Sequence, residues 1–591
     1  MTSPVSARLS TVRTFLRVTG GYQAACDALA IFALIAAVAL PEPALALALC
    51  WLSLGLALAL PLVKVFRHDF TAPGLSSVLV GFNESARLLV TLTAIVLRDL
   101  AGAQAWEAFA CSILALLPLV ERGVRRPVAS SGPMAANLPG GDLPLPSIMI
   151  TNWLFWLNSL GVAVLLVVVG FGAPLWPLAL LLVPAFGVAV TVVLQVTRYR
   201  VRRGRFEEAL PRILQDLSPK FCFHWQAPGG TTYQASMWLP YLERLGEPYF
   251  VLVRTAVNFK EVCEITKAPV ILRSGLSDLD AVVCPSLRAV FYCNTAVRNS
   301  HMIRFPQLTH IQLNHGDSDK IASVSPTFRQ YDKNFVAGEA AVDRFAKHGV
   351  ATRRDQFVLV GRPQLEGVQM ATAPIREIAA KSVLYSPTWS GFYEDSDYSS
   401  LPAGVEIVNG LLQRGCTVVF RPHPYARKHR VNAQACDAIM DLLKQDAKMS
   451  GRPHLWGPAA ETEMSVFDCF NAADAMVSDV SSVASDFLFS GKPFSMVATS
   501  THGEEFLEEF PLAAAAYVFD VIDGRTVGME QALDDLLGED SLQEKRLSLR
   551  SYYLGESNSE NCAEPFIRAA RSFIIDPPIG NLPSDHLERV S

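Results

Sequence analysis

An α-helical membrane bundle followed by two doubly wound α/β domains is the fold class this sequence predicts, and three observations carry it. The first third of the 591-residue chain is close to continuous Ala, Leu and Val. From about residue 206 onward, short apolar runs alternate with amphipathic segments, the pattern of parallel sheets with crossover helices. Five of those apolar runs end in His, Arg, Ser or Thr, at the carboxyl ends of strands where open α/β sheets bind ligands.

Apolar segments of roughly membrane-spanning length lie near 22–40, 44–63, 78–97, 102–120, 148–170 and 173–196. Glu84 and Arg87 fall within the third and Glu107 within the fourth. Positive charge marks every second loop. Arg8, Arg13 and Arg17 precede the first span, and Lys64 and Arg67 follow the second. Arg122, Arg125 and Arg126 follow the fourth, and Arg198, Arg200, Arg202, Arg203 and Arg205 the sixth. The pattern predicts a membrane domain over residues 1–205 with about six transmembrane helices and both ends inside. The expected location is the inner (cytoplasmic) membrane, multi-pass, with the large C-terminal region cytoplasmic. Glu84 and Arg87 are three apart and share a helical face, where they pair with each other or meet a lipid headgroup. The arginines of 198–205 act as a topology signal and are suited to anionic lipid headgroups.

The net charge of −5 and the lack of a basic stripe argue against nucleic acid. Eleven cysteines without a Cys-x-x-Cys pair read as free thiols in a reducing compartment. No dense group of metal-ligating side chains is evident, so neither a metal nor a cofactor is expected. Residues 127–147 read as a loop and 576–591 as a loose tail.

In the soluble part, candidate strands are Tyr249–Val253, Val270–Leu272, Ala289–Tyr292, 310–313, 334–336 and 357–360. A second series runs 383–385, Thr417–Phe420, 475–477 and 494–497. The stretch 371–380 is the expected connection, giving one domain at 206–372 and another at 373–575, with a ligand cleft between them. The run 475–477 empties into Asp479, Ser481 and Ser482, just before the helical pattern of 483–489. A helix start of this kind suits phosphate, although a Ser N-cap would look the same.

The ends of the other runs are His315-Gly316, Gly361-Arg362-Pro363, Tyr385-Ser386-Pro387-Thr388-Trp389 and Arg421-Pro422-His423-Pro424. With Asp479-Val480-Ser481-Ser482 and Lys492-Pro493 they follow one another in a fixed order. In that order and spacing residues 310–497 resemble the CDP-glycerol glycerophosphotransferase family, the teichoic-acid polymerases and primases. The resemblance implies a GT-B-like pair of Rossmann domains, with the nucleotide held mainly by the second. It implies transfer of a polyol phosphate, glycerol phosphate first, from a CDP-polyol to a hydroxyl with release of CMP. Asn314, Asp317-Ser318, Gln364, Glu366 and Val480 depart from the family pattern and leave the polyol and acceptor open. The bundle is no part of that pattern.

Phosphoryl-type transfer needs positioning and charge stabilisation more than covalent chemistry. His315 is the candidate general base for the acceptor hydroxyl, and His423 the group that stabilises the departing CMP. Arg421, Ser481, Ser482, Thr388, Gly361 and Asp479 form the candidate donor-binding set, Arg421 through a two-pronged phosphate contact. Asp317 or Asp319 either orients His315 or caps the next helix with Lys320. Asp479 either anchors its loop or acts as an acid, and Asp486 lies behind it. Trp389 either stacks on cytosine or packs between the domains. A site tethered to a membrane favours an acceptor on a polyprenyl diphosphate lipid. The rivals are a GT-B glycosyltransferase using a nucleotide sugar, a non-catalytic nucleotide-binding membrane protein and a transporter with a regulatory domain.

Overall fold

The structure, a computed structural model, describes residues 21–41, 43–66, 78–98, 104–129, 133–144, 147–391, 397–556 and 560–575. The expectations for Arg8, Arg13, Arg17, Arg67 and the 576–591 tail fall outside those residues. The chain forms two compact units, one of residues 1–217 with 252–284, the other of 218–251 with 285–591.

In the first unit four helices are long and apolar enough to cross a membrane: Gly21–Ala39, Pro43–Val63, Met149–Phe171 and Trp176–Leu217. They make the protein membrane-anchored. Two of the six expected spans differ from the reading above. Gly81 and Asn83 take positive φ values of 69° and 48°, which delays the third helix to Glu84–Arg98. Its 15 residues reach about 22 Å, short of a hydrocarbon core of about 30 Å. The fourth, Ala105–Ala129, is long but carries Glu107, Glu121, Arg122, Arg125 and Arg126.

Arg87 pairs with Glu121 and not with Glu84. Its Nη2 lies 2.5 Å from Glu121 Oε2, with both side chains fully buried. Glu121 also accepts from the Gly81 amide at 2.8 Å and from Asn158 Nδ2 at 2.7 Å. The guanidinium also donates to the Phe82 carbonyl and covers the Phe155 ring at 4.6 Å. A buried ion pair persists only when its remaining donors and acceptors are met, and this one is surrounded by partners. Glu84 lies 3.9 Å from Arg125 instead.

The helix Trp176–Leu217 runs 42 residues without interruption, straight through the arginine cluster. It ends where Ser218 adopts φ 48° ahead of Pro219, which disfavours helix in the residue before it. Arg273 reaches back to Glu207 on this helix at 2.7 Å, tying 252–284 into the first unit. There β1 (Met134–Ala136) pairs antiparallel with β4 (Val270–Leu272). The strand β3 (Tyr249–Val253) is divided between the units.

The second unit holds two Rossmann-like sheets in a GT-B-like pair. In the first, β2 (Phe221–Trp225), β5 (Ala289–Tyr292), β6 (Thr309–Gln312), β7 (Lys333–Val336) and β8 (Phe357–Leu359) are parallel neighbours in that order. The second contains β9 (Ser382–Ser386), β10 (Thr417–Phe420), β11 (Ala475–Ser478), β12 (Phe494–Ala498), β13 (Tyr517–Ile522) and β14 (Arg525–Val527). Its order is β10-β9-β11-β12-β13-β14, parallel except for the last pair. Residues of β9, β11 and β12 are buried on both faces, as strands covered by helices on each side must be.

One core joins the sheets. Leu365 and Val368, after β8, pack in the same apolar cluster as Phe487, Phe489 and Met496. The last helix, Glu564–Ile574, returns to the first sheet, where Phe566 meets Trp238 and Phe335 at ring distances of 5.2 and 6.1 Å.

Candidate active site

Where strand ends of the two sheets meet, they enclose a cavity of about 950 Å³. The loop after β6 contributes His315, Gly316 and Lys320, and the turn after β8 contributes Arg362. From the second sheet come Thr388 after β9, Arg421 and His423 after β10, and Ser481 and Ser482 after β11. Six of the eight residues singled out in the sequence therefore line one cavity. Gly361 and Asp479 do not line it.

The two imidazoles have opposite proton polarity. His315 Nδ1 is 2.8 Å from the Cys293 carbonyl oxygen. A carbonyl only accepts, so Nδ1 carries the proton, and the neutral ring keeps its lone pair on Nε2. Burial, opposed by that hydrogen bond and helped by the nearby Arg362 charge, lowers the His315 pKa below its usual 6.5. His423 is the reverse. Its Nδ1 accepts the Tyr425 amide at 3.0 Å, so the neutral ring donates through Nε2–H. Burial, aided by Lys320, His315 and Lys428, brings its pKa down to about 3. Each Nε2 lacks a protein partner among the described residues.

Backbone conformation aims the His315 loop. Asn314 takes φ 59°, a left-handed value that Asn tolerates and a bulky aromatic does not. Its carbonyl accepts the Trp238 indole N–H at 2.5 Å. Gly316 follows, where Ser482 from the second sheet presses close. A Cβ on it would stand 2.6 Å from Ser482 Oγ and 2.9 Å from Ser482 Cβ. Gly316→Val is expected to push the two walls apart, at an overpacking cost of about 1–3 kcal/mol. A lowered melting temperature, measured by calorimetry, would bear this out; an unchanged one would not.

The cations around the cavity are individually anchored. Lys320 Nζ donates to Thr388 Oγ1 at 2.9 Å across the cavity, and burial lowers its pKa. Arg421 spends Nη1 on the carbonyls of Ala460 and Met464, which turns the rest of the guanidinium to the cavity. Arg362 forms a two-pronged pair with Asp486, at 2.9 and 3.0 Å, and reaches the His315 carbonyl at 3.5 Å. Asp486 is thus the partner that bridges the sheets.

The other residues singled out in the sequence take the following places. Asp317 and Asp319 do not orient His315: both pair with Arg344, and Asp319 also accepts from the Tyr553 hydroxyl at 2.8 Å and the Leu512 amide at 3.3 Å. Asp479 accepts the amides of Thr388 and Ser400 at 2.7 and 3.2 Å, which makes it the anchor of the β9 loop. Burial raises its pKa. Gly361 adopts φ 69° and passes against Gly555, so it shapes the turn that carries Arg362. Ser481 is an N-cap, its Oγ accepting from the Ala484 amide at 3.4 Å, while Ser482 meets the cavity and Gly316. Trp389 stacks on His423 at 5.9 Å and 20°. Lys492 donates to the carbonyls of Phe470 and Ala473, away from the cavity.

Tyr233, Lys320, Arg362 and Asp486 are cavity residues that the sequence reading left without a site role. Lys320 and Arg362 sat inside quoted segments, and their charge next to a strand end was a usable signal. Tyr233 and Asp486 gave none, because their partners lie far away in the chain.

Comparison with known proteins gives a family for part of the chain. Residues 287–502 match the model of CDP-Glycerol:Poly(glycerophosphate) glycerophosphotransferase. No curated protein sequence matches the chain. Among solved structures, the wall teichoic acid polymerase TagF is 12% identical, with 64% of this chain and 95% of that one covered and a TM-score of 0.38. The S. aureus MnaA–UDP co-structure is 15% identical over 60% of this chain and 96% of that one, with a TM-score of 0.41. Anabaena Alr3699/HepE in complex with UDP and glucose is 11% identical over 60% and 99%, with a TM-score of 0.35.

Proposed function

We propose, from the match of residues 287–502 to the CDP-glycerol glycerophosphotransferase family model, that this membrane-anchored enzyme moves glycerol phosphate from CDP-glycerol to a hydroxyl of a lipid-linked acceptor. CMP is the leaving product, and the setting is synthesis of a teichoic-acid-like cell-wall polymer. Residues 206–372 are the acceptor side and 373–575 the CDP-donor side. The acceptor hangs on a polyprenyl diphosphate, and the catalytic region faces the cytoplasm from the inner membrane.

The observation that carries this reading is the opposite proton polarity of the two imidazoles that line one cavity. His315 Nε2 takes the proton of the acceptor hydroxyl as its oxygen attacks the distal phosphorus of the donor. The bond from that phosphorus to the bridging oxygen breaks, and His423 Nε2–H donates a hydrogen bond to the oxygen leaving with CMP. Lys320 and the outward part of Arg421 offset the diphosphate charge, and the Ser482 hydroxyl adds a neutral donor. Arg362, tied to Asp486, fixes the His315 loop.

The test is CMP release by the full chain in detergent, with CDP-glycerol, CDP-ribitol and a nucleotide sugar offered beside a lipid-linked acceptor. CMP from a CDP-polyol is the expected result. A nucleoside diphosphate from the sugar donor alone would move the chain to the glycosyltransferases. Binding without any turnover would leave a nucleotide-binding membrane protein.

A further inference from the structure

Tyr233 reaches both imidazoles, yet it lies outside the stretch that matches the family, 287–502. Its ring sits on the cavity wall. The ring centroid is 6.3 Å from that of His315 at an interplanar angle of 69°, and 6.5 Å from that of His423 at 88°. Both are edge-to-face arrangements within the range where aromatic rings attract one another. Tyr233 belongs to the half of the unit that carries His315, so its second contact spans the cavity.

The residue is held where it is by the strand end that fixes His315. It opens the short helix Tyr233–Ser236, after a turn in which the Thr231 hydroxyl donates to the Pro228 carbonyl at 2.5 Å. The next residue, Gln234, accepts from Asn294 Nδ2 at 2.9 Å, and that nitrogen also donates to the Gln226 carbonyl. Asn294 follows Cys293, whose carbonyl fixes the His315 tautomer. Consecutive residues after β5 therefore hold the Tyr233 helix and the His315 ring. On the far side, His423 is backed by Trp389 at 5.9 Å and flanked by Tyr425 at 5.8 Å.

We propose that Tyr233 is a positioning residue of the transfer, its ring holding the base imidazole of His315 and the donor imidazole of His423 at a fixed separation across the cavity. The assignment rests on the polyol-phosphate transfer proposed above. It makes the ring, not the phenolic hydroxyl, the working part. The ring also keeps water from both imidazoles, whose pKa values burial depresses. The charged and titratable groups that act on them are Arg362 on His315, and Lys320, Lys428 and His315 itself on His423. None of these is removed by substitution at Tyr233.

CMP release from CDP-glycerol by the full chain, measured between pH 5 and 9, separates the possibilities for Tyr233→Phe and Tyr233→Leu. The Phe variant keeps the ring and is expected to turn over near the wild-type rate. The Leu variant is expected to lose about 100-fold in kcat, the scale of an ångström-sized misplacement of reacting groups. Its KM for CDP-glycerol should hardly change, and the acid limb of kcat/KM should move to higher pH as water reaches the imidazoles. If the Leu variant fails to melt cooperatively, Tyr233→Met, which keeps apolar bulk without a flat ring, takes its place. A Leu or Met variant with wild-type kcat and acid limb overturns the proposal, as does a Phe variant impaired as badly as either. Wild-type protein that releases no CMP from any CDP-polyol sinks the transferase reading itself, and the assignment with it.

Discussion

Replacing His315 by Gln is expected to lower CMP release by about 10²–10⁴-fold, the usual contribution of a positioned general base. Glutamine carries its amide to the place of Nε2 without a basic nitrogen there, and it gives up the contact that Nδ1 makes with the Cys293 carbonyl. His423→Gln is expected to be milder, because an amide N–H can still donate towards the leaving oxygen. The pH dependence follows from the direction of the shifts. The base works only unprotonated, and its pKa is lowered below the usual 6.5 by burial. The acid limb of kcat/KM in the wild-type protein should therefore lie below pH 6.5, and at neutral pH both rings are fully in the working state. In His315→Gln the limb should vanish from the residual rate. A wild-type limb at or above 6.5, or a Gln variant that keeps most of its activity, would remove His315 from the role of base.

Asp486→Ala is expected to be the most destabilising single change in the second unit. Its carboxylate and the Arg362 guanidinium are nearly buried, with side-chain exposures of 7% and 6%. Removing the acid strands a buried guanidinium, which costs about 3–5 kcal/mol. Thermal melts followed by tryptophan fluorescence should show the loss. Arg362→Met combined with Asp486→Leu should regain most of the stability, since an apolar pair replaces a buried ion pair at little cost. That double variant should still turn over slowly, because the loop carrying His315 loses its contact with Arg362. An Asp486→Ala variant that melts like wild type would mean that water or another group serves Arg362.

Much of the fold was legible because apolar runs of four or five residues punctuated by Gly, Pro and Ser carry their own signal. Thr417–Phe420 and Ala289–Tyr292 lie where the sequence puts them. Phe221–Trp225 was passed over because it follows the long helix Trp176–Leu217 after only a few residues, with its apolar pattern interrupted by His224. Tyr517–Ile522 was passed over because it alternates buried and half-exposed positions and carries Asp520. The site was legible as strand-end motifs, and the two histidines do share a cavity. What stayed hidden is pairing over long sequence separations: Arg362 with Asp486, Arg87 with Glu121, Tyr233 with His423. Residues so far apart give no periodicity, and only the folded chain selects their partners. Two charges three apart, Glu84 and Arg87, invited the local pairing that the bundle rejects.

The fixed tautomers also give the cavity a direction that any inhibitor must obey. A compound that offers a hydroxyl to His315 and a bare oxygen to His423 meets a lone pair with a proton and a proton with a lone pair. The same compound turned end for end still lets its hydroxyl oxygen accept from His423, but sets its bare oxygen against the His315 lone pair, an unmet acceptor pair that costs about 1–3 kcal/mol. Mirror-arranged isomers of one scaffold should therefore separate by about one to two orders of magnitude in affinity, a sorting by hydrogen placement that size and charge alone would never produce.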